Sequence, residues 1–527
     1  MSKTNEGRGS RLTIASAIED GIGDLLKKRP PSERPARPET ADLGREARAA
    51  LAAPSSPETP ERLASKLLDL SLFLSRRGTE TFGFIFGGNT IFYKHVSTMT
   101  RASQAGTDLT ETLRLVLFRP ELVPPETSPG CRDMIRHIAA RLLTHFGADI
   151  TGSTEGGKSL AAVAAERGDI PVCSGILMGC IVFEIGDSAS AAQMPPVFVP
   201  QSEVTLRTNL PSAIRDMAAA GIAMDAIAPP KMVVRMRRDV EIAPGETQMP
   251  FLHWLADILP ATPQDSEIQI SAMKALLDAG ATVSAPNGRV GAKETPLHAA
   301  ARIGVNLPVV RLLANGEAFP AELVEEAVRK PSSRAAKSFL SEATGGNAVY
   351  DAVLAGNTAA AVEIVRSLGH LHGDKAVGFF LKGGGKPHRA PLGAAVRLLS
   401  SEVVEGICSG LPAGQDIDGL GLRGRSPLAD LADVVVAASS KLEKAVAKRK
   451  GKEDASLEGQ TNAVHRIAKA LVASGCDPRK PDVRSGGASP LEIASSTAER
   501  LAGGGFPNLA ALGVAMVEGI GAASRNG

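Results

Sequence analysis

Residues 294–304 read Glu294-Thr295-Pro296-Leu297-His298-Ala299-Ala300-Ala301-Arg302-Ile303-Gly304, and each position has a physical reason to start, bury or end a short helix. Thr295 is placed to cap the helix by accepting from a backbone N–H in its first turn. Pro296 falls at the first helical position, where its missing N–H costs nothing and its fixed φ suits the helix. Leu297, Ala300 and Ala301 offer a narrow apolar face that lets a second helix come close. His298 carries two ring nitrogens with which to tie neighbouring loops. Gly304 closes the helix in a left-handed conformation.

Worn copies of this stretch recur on both sides. Lys158-Ser159-Leu160 opens one, and Gly168 follows Ser159 at the spacing that separates Gly304 from Thr295. Pro250-Phe251-Leu252-His253-Trp254 opens another, closed by Ala275-Leu276-Leu277-Asp278-Ala279-Gly280-Ala281. Val309–Leu313 supplies a second helix to the opening motif. Ala348–Val353 keeps the spacing without Thr-Pro, and Pro391, Pro427 and Pro490 start three further units. Met134–Ile150 and Ile214–Ile222 read as second helices that end in Gly147 and Gly221. The second helix after Pro427 arrives late, at Arg466–Gly475, behind an insertion near 434–461.

The series resembles the ankyrin repeat, whose helix-turn-helix unit carries Thr-Pro-Leu-His-x-Ala-Ala and then Gly, at a period of roughly 33 residues. The resemblance covers about residues 130–520. It implies an all-α chain, a solenoid of stacked helix pairs, with structural roles for Thr295, Pro296, Leu297, His298, Ala300, Gly304, His253, Gly280, Ser159, Gly168, Pro391, Pro427 and Pro490. The expected organisation is a disordered polar, Pro-rich segment at 1–60 and a small helical region at 61–130. A first block of repeats follows at 131–320, then degenerate repeats at 321–527 that end in a terminal cap, which a stacked array requires.

Composition agrees with tight helix packing: the chain is 43% hydrophobic but only 3% aromatic, so small apolar residues do the burying. A net charge of +2 argues against a general attraction to nucleic acid or anionic membrane. Cysteines at 131, 173, 180, 408 and 476 show neither a metal spacing nor a disulfide framework. The most apolar run, Val172–Phe183, is far short of the roughly 20 residues a membrane span needs. No metal or cofactor is expected.

One motif competes. Gly152-Ser153-Thr154-Glu155-Gly156-Gly157-Lys158-Ser159 satisfies the pattern of a P-loop, whose glycines wrap phosphates, whose Lys contacts them and whose Ser holds Mg²⁺. A P-loop follows a buried strand, whereas His145–Thr151 continue a helix-ending loop. Gly152, Gly157, Lys158 and Ser159 therefore read first as parts of a repeat, and as a nucleotide site only in the alternative, an enzyme with its activity in residues 60–190.

The resemblance implies a non-enzymatic scaffold that binds other proteins. The polar leader, high Ala and Gly content and degenerate repeats are similar to those of bacterial effectors, which a specialised secretion system delivers into host cells. The expected location is the cytoplasm or a host cell.

Overall fold

A computed structural model describes residues 57–68, 98–123, 129–152, 156–183, 203–228, 233–234, 240–241, 250–283, 295–303, 306–315, 348–372, 374–382, 389–412, 415–449, 457–504 and 506–524. Across them the chain is mostly helical, with a few short strands. The expectations for the leader up to residue 56, for Gly304, and for residues 321–347 lie outside the described residues.

The amino-terminal third carries α1 (Pro60–Leu68), α2 (Leu109–Phe118), α3 (Pro129–Phe146), α4 (Leu160–Glu166) and α5 (Ile170–Gly179). Strands β1 (Ile181–Phe183) and β2 (Glu203–Leu206), helix α6 (Leu210–Ala219), and strands β3 (Val233–Val234) and β4 (Val240–Glu241) follow. Next come α7 (Phe251–Ala256), β5 (Leu259–Pro260), α8 (Pro263–Asp278), α9 (Pro296–Ile303) and α10 (Leu307–Asn315). The remainder is α11 (Ala348–Leu354), α12 (Thr358–His372), α13 (Asp374–Leu381), α14 (Pro391–Arg397) and α15 (Ser401–Ser409). The last four helices are α16 (Pro427–Arg449), α17 (Leu457–Ala473), α18 (Pro490–Gly503) and α19 (Pro507–Ser524).

Local signals set the helix ends. Pro296, Pro391, Pro427 and Pro490 are each the first residue of a helix. Ser159 caps α4 and Ser489 caps α18, each side chain accepting from the N–H three residues on. Between paired helices the backbone turns left-handed, at Gly168 with φ 64° and at Gly356 with φ 73°. Leu399, with φ 54°, makes the same turn between α14 and α15 despite its Cβ.

From α7 onward, α13 aside, the described helices alternate as first and second members of pairs, the second being the longer except in α16–α17. The first helices touch in the order α7, α9, α11, α14, α16, α18, and the second in the order α8, α10, α12, α15, α17, α19. Helix α13 packs beside α12. Upstream, α2 packs on α3, α3 on α5, α4 on α6 and α6 on α8. One continuous apolar cluster runs through these contacts from Leu63 to Ile520.

Polar ties cross the same contacts. Asp169, the N-cap of α5, bonds Arg136 of α3. Asn306, just before α10, donates to buried Gln269 of α8. Asn357, just before α12, donates to the Ala301 carbonyl at 3.0 Å and accepts from the N–H of Ala360 at 3.2 Å. Asp169 and Asn357 thus each satisfy a helix end and a neighbouring element together.

Within this mostly helical chain, the β-branched and aromatic run Ile181-Val182-Phe183 favours an extended backbone and pairs antiparallel with β2, which in turn pairs parallel with β5. In the segment 434–461 the described residues belong to α16, which runs to Arg449, and to α17, which starts at Leu457. The tail forms α19, partner of α18 and neighbour of α17.

Close crossings depend on absent side chains. A Cβ on Gly179 of α5 would lie 2.5 Å from the Arg141 carbonyl oxygen and 2.6 Å from Thr144 Cβ on α3. Gly179→Ala should therefore cost about 1–3 kcal/mol through overpacking, read as a lower thermal midpoint. Leu297 is fully buried, so Leu297→Asp should cost more, about 3–5 kcal/mol, in the same measurement.

Candidate interaction surface

The opening motif is built differently at its cap from the sequence expectation. Thr295 Oγ1 lies 2.7 Å from His298 Nδ1, and the Thr295 N–H donates to the same nitrogen at 3.2 Å. His298 thus reaches back over the helix start, the service Asp265 gives Thr262 and Glu492 gives Ser489 in the capping boxes of α8 and α18. Thr295 and His298 are both buried, as is His253 at the matching position of α7. Leu297 and Ala300 are buried between helices, and Gly280 has the left-handed φ of 84° expected at the end of a second helix.

Several of the P-loop-like residues make contacts within the chain. Asp149 Oδ1 accepts from the N–H of Thr151 and of Gly152, both at 3.0 Å. Lys158 pairs with Glu166, and the Ser159 hydroxyl accepts from the N–H of Ala162 at 3.1 Å. Gly157 turns left-handed, with φ 73°, just ahead of α4. The segment follows α3 rather than a strand.

Burial raises the pKa of the cysteine thiols, to about 12 for Cys173 and Cys180 and to about 11 for Cys408, so they stay protonated near neutrality. Among the described residues no group of His, Cys, Asp and Glu is arranged to hold a metal ion.

Sequence reasoning missed one hydrogen-bonded surface element, the loop before α18. Arg425 donates to both carboxylate oxygens of Asp482, at 3.2 and 2.6 Å, and to Asp433 at 2.5 Å. Asp482 also accepts from the Ser485 hydroxyl at 2.7 Å, and its carbonyl from the Gly487 N–H at 3.1 Å. At the tip of this fixed loop Val483 is 93% exposed. A cleft of about 470 Å³ is lined nearby by Pro478, Arg479, Leu491, Val517 and Ile520. The signal was present in the sequence as Asp482-x-x-Ser485-Gly486-Gly487, but its partner Arg425 lies 57 residues away.

Compared with known proteins, the chain matches no family model and no curated protein.

Behind the loop, Asp430 is fully buried and accepts from the Leu422 N–H at 2.6 Å, with Arg425 at 3.6 Å and Arg397 at 3.9 Å. Burial outweighs these partners and pushes its carboxyl from 3.8 up to about 6. A carboxyl raised in the folded state binds its proton more tightly there, so its contribution is present below about pH 4 and lost as pH rises through about 6. Asp430→Asn should keep the bond to Leu422 and remove this loss. Chemical denaturation should then show the variant losing up to about 3 kcal/mol less than the wild type across that window.

Proposed function

We propose that this chain is an ankyrin-type repeat protein whose helix pairs form a scaffold for binding other proteins. The observation that carries the reading is the pairwise order of contacts from α7 to α19, first helix on first and second on second, with Thr295-Pro296-Leu297-His298 buried at one of its joints. Repeats of this kind cannot bury their apolar faces singly, and stacked arrays leave one face and the connecting loops for partners. The loop at Val483 suits that use, because a fixed backbone presenting an exposed apolar side chain loses little freedom on binding. The polar leader and its likeness to bacterial effectors make host proteins the expected partners. Among the described residues no helix is long and apolar enough to cross a membrane.

The enzymatic alternative has less support, since Lys158 is paired with Glu166, Ser159 caps α4, and the segment follows a helix rather than a strand. Saturable ATP binding that depends on Lys158 would favour it.

Full-length protein immobilised against host-cell lysate should capture a defined partner. Val483→Asp should weaken that partner's binding at least tenfold without moving the unfolding midpoint, and Leu428→Asp, at a fully buried position of α16 beside α18, should abolish it. Binding that survives Leu428→Asp unchanged would place recognition outside this part of the array and contradict the proposal.

A further inference from the structure

Helices α1, α2 and α3 pack on one another, and the helix through which they chiefly meet the rest of the chain is α5. That crossing is tight. A Cβ on Gly175 of α5 would stand 2.5 Å from the His137 carbonyl oxygen and 2.8 Å from Ala140 Cβ on α3. Within it His137 and Ser174 are both buried. The Ser174 hydroxyl donates to the Pro171 carbonyl at 3.0 Å, which spends its one proton, and it accepts from His137 Nδ1 at 2.8 Å. The imidazole therefore carries its proton on Nδ1, and Nε2 is the atom that a second proton would join.

The groups around this ring do not favour an imidazolium. On α3 they are Arg132, Asp133, Arg136 and Arg141, with His145 two turns on. From α5 come the thiol of Cys173, which burial keeps protonated, and Asp169, which is already engaged by Arg136 and by the Val172 N–H. From α2 come Glu111 and Arg114, which pair with each other. From α1 come Glu61 and Arg62, both exposed, and Lys66, which pairs with Glu58. Burial first, then the charge of Arg141, pushes His137 down to about 3.

We propose that the α3–α5 joint opens on acidification: a proton taken up at His137 Nε2 releases α1, α2 and α3 from the helices downstream. A buried imidazolium here would add charge beside Arg141 with no free carboxylate to balance it, whereas the opened joint hydrates the ring. A histidine held below its ordinary value of about 6.5 contributes stability at neutral pH, and that contribution is lost as pH falls below that value. Half-buried Asp133, whose carboxyl burial pushes up, acts in the opposite direction. An amide side chain at position 137 would serve Ser174 equally well without any such dependence. The device is independent of the protein-binding surface proposed above.

The test is amide hydrogen exchange on the full-length protein at about pH 7.5 and about pH 5, each rate divided by its intrinsic value so that opening equilibria are compared. In the wild type, opening of α1, α2, α3 and α5 should rise about 30-fold between the two, while α17 to α19 show no such rise. His137→Gln keeps a donor for Ser174, and His137→Phe fills the space of the ring. Each should cut the rise at least tenfold. A variant that is merely less stable opens more at both pH values and leaves their ratio alone, so a structural role for His137 would not produce this result. Should neither variant fold, the ring resonances of His137 in the wild type decide, since they must keep their neutral form at about pH 5. No rise in the wild type, a rise shared by α17 to α19, an undiminished rise in either variant, or a protonated His137 at about pH 5 would each overturn the proposal.

Discussion

Helix α7 has six residues, and α4, α11 and α14 have seven. Isolated helices shorter than roughly 12 residues are marginal in water, because fixing the first turn costs more than its one hydrogen bond returns. These helices therefore exist only by lying against their neighbours, and every other feature of the chain serves that contact. Alanines at 161, 164, 165, 299, 300, 301, 394 and 395 are buried or nearly so, which lets backbones approach. Prolines at the first position remove an N–H that would otherwise need a partner.

The same constraint explains where polar groups are spent. A helix end inside a stack has orphan amides facing another pair, so the residue before the second helix caps its own helix and reaches across. Asp169 and Asn357 do both, whereas Asn306 only reaches across, donating to Gln269, and its own Oδ1 is left without a partner. Loops are tied in a similar way: Asp225 holds Thr282 through its N–H and hydroxyl, and Asp418 accepts from the Asp477 N–H at 3.1 Å. The Arg425 cluster extends the device to a surface loop. Among the described residues, connections between pairs are thus tied down by hydrogen bonds, and these loops follow from the stacking rather than from a separate design.

Much of the helical order was legible in the sequence because its causes are local. Proline at the first position, serine at the cap and glycine in the left-handed turn act over three or four residues, so Ser159, Pro391, Pro427 and Pro490 fall where their spacing placed them. The P-loop pattern was separable on the same grounds, because the residues before it continue a helix end. What escaped were pairings between distant residues. Arg425 with Asp482, and Arg207 with His145, are brought together only by the stack. The direction of capping at Thr295 was not legible, because a His298 ring nitrogen can serve any neighbour and only the folded turn brings Nδ1 back to the Thr295 N–H. The strand at Ile181–Phe183 was visible as a β-rich run, but its partner lies beyond a long intervening segment.

The central claim is that stability passes from each helix pair to the next. It is tested most directly by amide hydrogen exchange on the full-length protein carrying Leu392→Asp, a charge at a fully buried position of α14. Exchange should quicken most in α14 and α15, next in the flanking helices α11, α12, α16 and α17, and not at all in α2 to α5. Uniform acceleration along the chain, or none in the flanking pairs, would contradict the account.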